Sequence, residues 1–216
     1  RIVDRAIESN MYSTLTDCPA REKLGWLEVS QLMYESMAYS YDIRSWMSKT
    51  SRDMAEAQTE AGQVPGVAPE YVQFEDSLRS DPSWGGASIL VPWYTYQVYG
   101  QDSLIQSMYP TMVKYMDYLE GRSSGNLIDI GLGDWGAYDT STPRELVVSA
   151  TYYNLADVMS QIAKMLGKRD DASRFSGMAK DIKAAFNAKY FDAATGKYGS
   201  GSQASYACAL FAGLVP

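Results

Sequence analysis

The densest group of chemically active side chains lies in residues 16–28, TDCPAREKLGWLE. This short segment holds acids, bases and an indole, namely Asp17, Arg21, Glu22, Lys23, Trp26 and Glu28. Carboxyl groups beside a tryptophan and an arginine suit the hydrolysis of glycosidic bonds, because one carboxylic acid must protonate the leaving oxygen. Apolar or like-charged surroundings are what keep such an acid protonated.

Glu22 is the candidate acid in this segment. Trp26 follows it by about one helical turn and can supply the apolar wall, while Asp17 can supply the like charge. Arg21 can instead pair with either carboxylate and keep it ionised. The segment also fits a simpler interpretation, in which the acids precede a helix and interact favourably with the positive end of its dipole.

The chain contains no histidine, and this excludes whole classes of chemistry. Ser-His-Asp and Cys-His nucleophiles, histidine acid–base catalysis and His-ligated zinc sites are impossible within these 216 residues. Acid–base work therefore falls to Asp, Glu, Tyr, Lys or Cys. The two cysteines, Cys18 and Cys208, form no closely spaced metal or redox motif, and we expect free thiols.

Charge and hydropathy narrow the range of partners. The net charge of −7 argues against a nucleic-acid surface. The longest apolar run, residues 89–94, is far shorter than the roughly 20 residues that span a membrane. We expect no membrane partner. The N-terminal residues show no basic-plus-apolar leader pattern, and the choice between a cytoplasmic and a periplasmic or secreted location stays open.

Tyrosine and tryptophan are abundant, with 17 and 5 residues respectively. Aromatic faces with polar edges suit the rings of sugars. Tyrosines also wedge between helices with their hydroxyl groups in water, so composition alone leaves both interpretations open.

Apolar residues recur at three- and four-residue steps along most of the chain, which predicts an all-α fold of about seven or eight helices. The periodic segments are approximately 27–40, 42–60, 104–119, 152–166 and 175–190. Gly167 is expected to end the fourth of them. No long alternation of apolar and polar residues indicates a central sheet.

Two kinds of helix are predicted. Residues 84–99 are apolar on nearly every side, as in a helix that is buried all round. Residues 170–190 are amphipathic, with charged side chains such as Lys180 and Asp181 on the side that faces water. Alternation of the two kinds indicates two concentric rings of helices.

Prolines and glycines mark the connections. Residues 61–83 hold three of the eight prolines, and residues 121–143 are rich in Gly, Ser and Asp. Connections of this length inside a compact domain usually carry function. Pro92 and Pro110 are predicted to kink or break their helices, and residues 191–198 are predicted to form a small hairpin.

Three segments together resemble the catalytic domain of the α-L-rhamnosidases of glycoside hydrolase family 78. They are residues 16–28, the run SWGGASILVPWYTYQVYG at 83–100, and GLGDW at 131–135. That family carries an Asp-Cys-Pro-x-Arg-Glu-(Lys/Arg)-x-Gly-Trp segment at the mouth of an (α/α)6 toroid. The likeness extends over about 12–215, so it implies an all-α chain that forms part of a six-hairpin toroid.

The resemblance also implies roles for individual residues. Glu22 matches the family's general acid. Six residues match sugar-binding positions, namely Asp17, Arg21, Trp26, Trp84, Asp134 and Trp135. The first three hold the rhamnose ring, Trp84 stacks on it, and the last two belong to the Gly-Asp-Trp element that closes the site. The implied chemistry requires no metal and no organic cofactor.

The chain departs from the family pattern at two positions. Val29 stands where many members have an Asp that contacts sugar, with Glu28 beside it. Gly86 stands where many members have the Asp of a Trp-Gly-Asp-Ala run. Both departures indicate a divergent subfamily and leave strict rhamnose specificity open.

A complete toroid has twelve helices, more than the seven or eight predicted here. Inverting hydrolysis also needs a second carboxylate that activates water, with the two carboxyl groups about 6.5–9.5 Å apart. The resemblance places that general base C-terminal to residue 216. We therefore expect residues 1–216 to form an incomplete catalytic domain of a larger enzyme, without the C-terminal part of the toroid and without accessory β domains.

These observations predict a glycoside hydrolase that removes terminal α-L-rhamnose from glycosides or polysaccharides by inversion, with Glu22 as the general acid. Its partner is then a carbohydrate. Two alternatives stay open: an (α/α)6 glycosidase that acts on another sugar, and a non-catalytic carbohydrate-binding or scaffold protein. Glu70, Glu75 and Asp76, in the first long connection, are the next acids that could reach the site.

Overall fold

The computed structural model describes all residues from Arg1 to Pro216, and helices make up most of it. The eleven helices are α1 Ile2–Asn10, α2 Leu27–Leu32, α3 Tyr34–Ser40, α4 Arg44–Ala57, α5 Asp76–Arg79, α6 Pro82–Gly85, α7 Ala87–Tyr99, α8 Ser103–Gly121, α9 Arg144–Met165, α10 Arg169–Tyr190 and α11 Gln203–Phe211. Seven of these contain nine residues or more, in agreement with the predicted seven or eight. Strands β1 Phe191–Asp192 and β2 Lys197–Tyr198 form the predicted hairpin, with Phe191 paired to Tyr198.

The long helices pack in two layers, which we call the inner and outer layers. The inner layer contains α2, α7, α9 and α11, since α7 packs on both α2 and α9, and α11 packs on α9. The outer layer contains α4, α8 and α10. Short turns join α7 to α8 and α9 to α10, so each outer helix returns antiparallel to the inner helix before it.

Burial follows these layers. Residues 87–92 of α7 are all buried, so the first half of this inner helix has no solvent-facing side. The outer helix α10 buries only one stripe, at Ala172, Phe175, Ala179, Ile182 and Phe186. The predicted alternation of buried and amphipathic helices is therefore present.

Several predicted helix boundaries are wrong. The segment 27–40 is divided at Met33 into α2 and α3, and the segment 84–99 is divided at Gly86 into α6 and α7. Conversely, α7 continues through Pro92 and α8 continues through Pro110, so neither proline breaks its helix. The packing of α7 on α8 outweighs the loss of single backbone hydrogen bonds there. Helix α1 lies in a segment for which no element was predicted.

The first long connection is more ordered than its sequence indicates. It contains α5 and the start of α6, and residues 66–68 pair with residues 25–27. The Leu27 N–H donates to the Gly66 carbonyl at 2.9 Å, and the Ala68 N–H donates to the Gly25 carbonyl at 3.1 Å. The second long connection, between α8 and α9, contains no helix.

Gly25 lies at the point where these two segments approach most closely. A Cβ atom on Gly25 would lie 2.6 Å from the Ala68 carbonyl oxygen and 3.0 Å from Thr14 Cγ2. We expect Gly25→Ala to push the segments apart and to lower the free energy of unfolding by about 1–3 kcal/mol, measured by urea denaturation. Gly121→Ala is the matched control, because a Cβ there meets no atom within 4 Å. Equal stability of the two variants would contradict the expected crowding.

Both cysteines are free thiols, as expected. None of the helices is long and apolar enough to cross a membrane.

Candidate active site

The connections that precede the inner helices converge on one cavity of about 220 Å³. Its lining residues come from before and within the first turn of α2, from before α7 and from before α9, and they are Asp17, Glu22, Trp26, Glu28, Val29, Leu78, Trp84, Leu132 and Trp135. The N-terminal ends of α2, α7 and α9 therefore share this side of the fold. The chain thus assembles the cavity from residues more than one hundred positions apart.

Residues 17–24 form a closed loop that presents the first two carboxyl groups. The Asp17 N–H donates to the Leu24 carbonyl at 3.1 Å, and the Leu24 N–H donates to Asp17 Oδ1 at 3.3 Å. Inside the loop, the Glu22 N–H donates to Cys18 Sγ at 3.0 Å. Cys18 therefore helps to close the loop, and its thiol serves as a hydrogen-bond acceptor.

Glu22 is exposed at the cavity mouth, and Trp26 orients its carboxyl group. The Trp26 indole Nε1–H donates to Glu22 Oε2 at 2.8 Å. The indole itself is fixed by Phe74, at 4.9 Å between ring centroids, and by the edge of Trp84, at 6.3 Å. Trp26 therefore supplies both an apolar wall and a hydrogen bond to Glu22 Oε2, and this bond leaves Glu22 Oε1 free.

Asp81 holds the back of the site together, and sequence reasoning missed it. Its side chain is fully buried and caps α6, accepting from the Ser83 N–H at 2.7 Å. It also accepts from the Leu132 N–H at 2.6 Å, which ties α6 to the loop that carries Trp135. Asp before Pro at the start of a helix is an N-cap signal that could have identified it.

Gly131 makes this contact possible. It adopts φ of 90°, a left-handed conformation, and a Cβ there would lie 2.3 Å from Asp81 Oδ2. Only glycine lets the loop approach the Asp81 carboxylate closely enough for the Leu132 hydrogen bond.

Glu28 is a third carboxyl group in the cavity, in the first turn of α2. It is half-buried, and burial together with the negative charge of Asp81 raises the pKa of Glu28 to about 7. Burial also raises the pKa of Asp81, but its backbone N–H donors oppose that shift by stabilising the ionised form. From the sequence, Glu28 is one of the chemically active side chains of residues 16–28, but no role was predicted for it.

Five of the seven predicted site residues line this cavity, and two do not. The five are Asp17, Glu22, Trp26, Trp84 and Trp135. Arg21 is exposed and lies outside the cavity wall. Asp134 lies beside Trp135 but lines a neighbouring cavity of about 270 Å³ with Tyr138 and Asp139.

The carboxylates of the first long connection form hydrogen bonds and ion pairs outside the cavity. Glu70 forms a two-point ion pair with Arg79, at 2.6 and 2.8 Å, and both side chains are mostly buried. Asp76 pairs with Arg122 at 2.8 Å, and Glu75 accepts from the Ser77 hydroxyl at 2.9 Å. None of the three lines the cavity, so the expectation that they could reach it is wrong.

The arrangement can bind a polar ring and supply a proton to it. Three carboxyl groups face a cavity that three indoles flank, and no lysine or arginine lines it. Indole faces suit the apolar face of a sugar, and carboxyl groups suit its hydroxyls. No group of three or more His, Cys, Asp or Glu side chains is arranged to hold a metal ion.

Comparison with known families agrees with this geometry. Residues 1–216 match the family described as the bacterial α-L-rhamnosidase six-hairpin glycosidase domain. The chain belongs to this family. The resemblance and the six-hairpin, all-α fold class predicted from the sequence are therefore confirmed.

Two comparisons with α-L-rhamnosidase from Streptomyces avermitilis, one of sequence and one of structure, show how far the likeness extends. An α-L-rhamnosidase from this organism is 32% identical over 96% of the chain, which spans 20% of that relative. The crystal structure of an S. avermitilis α-L-rhamnosidase complexed with L-rhamnose superposes with a TM-score of 0.89, at 30% identity, over 99% of this chain and 21% of the other.

The α-L-rhamnosidase of Dictyoglumus thermophilum is another relative, and its structure matches with a TM-score of 0.87 and 29% identity. That match covers 100% of this chain and 26% of the other. The chain thus spans about a fifth to a quarter of the length of these rhamnosidases.

Proposed function

We propose that this chain forms the acid-bearing part of a glycoside hydrolase site that removes terminal α-L-rhamnose from glycosides or polysaccharides with inversion. The observation that carries the proposal is the Glu22 carboxyl group, held by the Trp26 indole at the mouth of a cavity that carboxyl groups and indoles line. Membership of the family and the activity named for its relatives support it.

In this mechanism Glu22 protonates the glycosidic oxygen as the bond to the leaving group breaks. Trp26 holds one carboxyl oxygen, so the other can reach the substrate. Asp17 Oδ1 is engaged by the Leu24 N–H, which leaves Oδ2 for a sugar hydroxyl. Trp84 and Trp135 bind the faces of the sugar.

Arg21 and Asp134 have proposed roles at the edge of the site. Both lie outside the cavity lining, so their contacts require a substrate that extends beyond it. We propose that they meet the sugar or its leaving group at the rim.

The second carboxylate required for inversion is proposed to come from outside residues 1–216. The chain spans only about a fifth of the relatives it matches, which leaves most of each relative to supply a general base and accessory domains. On this proposal the chain is one part of an (α/α)6 catalytic domain.

The test is hydrolysis of an aryl α-L-rhamnoside, with an aryl α-D-glucoside as the competing substrate. The assay is run on the 216-residue chain and on the longer polypeptide that the proposal requires. We expect the longer polypeptide to hydrolyse only the rhamnoside and to release β-L-rhamnose first, observed by proton NMR, because inversion reverses the anomeric configuration. Hydrolysis of the glucoside alone would favour the other glycosidase, and binding without hydrolysis would favour a sugar-binding protein.

A further inference from the structure

Glu28 occupies a position that the proposed mechanism does not use. It lies in the wall between the 220 Å³ cavity and a second cavity of about 190 Å³, which α2, α7, α9 and α11 surround. Its carboxyl group is half-buried, yet it makes no hydrogen bond and no ion pair within the chain. The carboxyl group is therefore free to bond to water or to a ligand in either cavity.

The charges around Glu28 are all acidic or neutral. Asp81 faces it from the start of α6, and Asp17 and Glu22 face it across the first cavity. Tyr94 of α7 and Cys208 of α11 line the second cavity with it. No lysine or arginine lines either cavity, so no side-chain cation there pairs with the carboxylate of Glu28.

Asp81 has hydrogen-bond donors that Glu28 lacks. Both of its carboxyl oxygens accept backbone hydrogen bonds, from Ser83 and from Leu132. Those bonds favour the ionised form of Asp81 and oppose the rise in its pKa that burial causes. Glu28 has no such donors, and burial together with the facing Asp81 raises its pKa to about 7.

A protonated carboxyl group can donate a hydrogen bond to a ring bound in the cavity. The other carboxyl groups that line this cavity mainly accept. Val29, its neighbour in the same wall, offers no hydrogen bond. A bound sugar would displace water from Glu28, and this favours the neutral form further.

We propose that Glu28 is a sugar-contacting residue whose carboxyl O–H donates a hydrogen bond to a hydroxyl oxygen of the ring bound beside Glu22. This inference rests on the proposed function, because it takes the ligand to be the rhamnose ring. It adds a pH-dependent contact that sets affinity for the ring and takes no part in bond cleavage.

The test is the affinity for L-rhamnose, between pH 5.5 and pH 8.5, of the longer polypeptide that the proposed function requires, measured by ligand-observed NMR titration. We expect wild-type affinity to weaken about tenfold as pH rises through 7, because the donor is lost. Glu28→Gln keeps a donor without a charge, so its affinity should stay near the wild-type value at pH 5.5 and vary little with pH. Glu28→Met keeps the length of the side chain without a donor and should bind about tenfold more weakly at pH 5.5.

Glu56→Gln is the control for removal of a surface carboxyl group, since Glu56 is exposed on α4 and lines neither cavity. It should keep the wild-type pH dependence. Wild-type affinity in Glu28→Met, or unchanged pH dependence in Glu28→Gln, would overturn the inference alone. Absence of L-rhamnose binding by the wild type at every pH would overturn the proposed sugar and this inference with it.

Discussion

Replacement of Glu22 by glutamine is expected to slow hydrolysis of a rhamnosyl disaccharide by about 10²–10⁴-fold, the range that general acid–base catalysis contributes. Glutamine keeps the shape of the side chain, and its amide oxygen can still accept from the Trp26 Nε1–H. It carries no proton for the leaving oxygen. The loss should therefore appear in kcat/KM while L-rhamnose binding persists.

The leaving group distinguishes a general acid from a residue that only shapes the site. A sugar alcohol needs a proton to depart, whereas a dinitrophenolate does not. We expect Glu22→Gln to lose much less activity on 2,4-dinitrophenyl α-L-rhamnoside than on the disaccharide, measured on a polypeptide that shows wild-type hydrolysis. An equal loss on both substrates would contradict the proposed role of Glu22.

Glu75→Gln is the matched control for this substitution. Glu75 precedes α5, and its carboxylate accepts a hydrogen bond from the Ser77 hydroxyl. Activity on both substrates should stay close to the wild-type value. A comparable loss in the control would show that removal of any nearby carboxylate slows the reaction.

Replacement of Asp81 by alanine is expected to lower the free energy of unfolding by about 2–5 kcal/mol, because two buried backbone donors lose their acceptor at about 1–3 kcal/mol each. The carboxylate is fully buried and accepts backbone hydrogen bonds from Ser83 and from Leu132. Alanine would leave these donors buried without partners. It would also release the loop of Leu132 and Trp135 from α6. Urea denaturation measures the change.

Asp102→Ala is the matched control, because Asp102 occupies the N-cap of α8, is exposed, and makes no capping hydrogen bond there. Its loss should change stability by less than about 0.5 kcal/mol. Asp81→Asn tests the charge separately, since it keeps the shape of the side chain. We expect Asp81→Asn to lower the pKa of Glu28, because it removes the facing negative charge. Equal stability of Asp81→Ala and Asp102→Ala would contradict the assigned role of Asp81.

The helices could be predicted where their signals are local. The apolar stripes of α8, α9 and α10 depend on residues three or four positions apart, and their positions agree with the structure. The division of 84–99 at Gly86 was not predicted, because it depends on the Asp81 cap. That cap is itself stabilised by a hydrogen bond from Leu132, fifty-one residues away.

In the candidate site, too, contacts within one segment could be predicted and contacts between distant segments could not. Glu22 and Trp26 lie four positions apart in one segment, so their contact could be anticipated. The sequence did not predict that Glu28 lines the cavity or that Arg21 lies outside it. These two outcomes depend on how α2 packs against α6 and on the direction in which the 17–24 loop closes.

The sequence by itself determined the chemistry that is available: carboxyl groups, indoles and no histidine, on a helical chain with a recognisable acid segment. Tertiary structure decided which of those groups share one cavity and which of them have a raised pKa. The physical reason is that helical periodicity and motif spacing act over a few residues. Burial and the repulsion between Glu28 and Asp81 arise only when distant segments pack together.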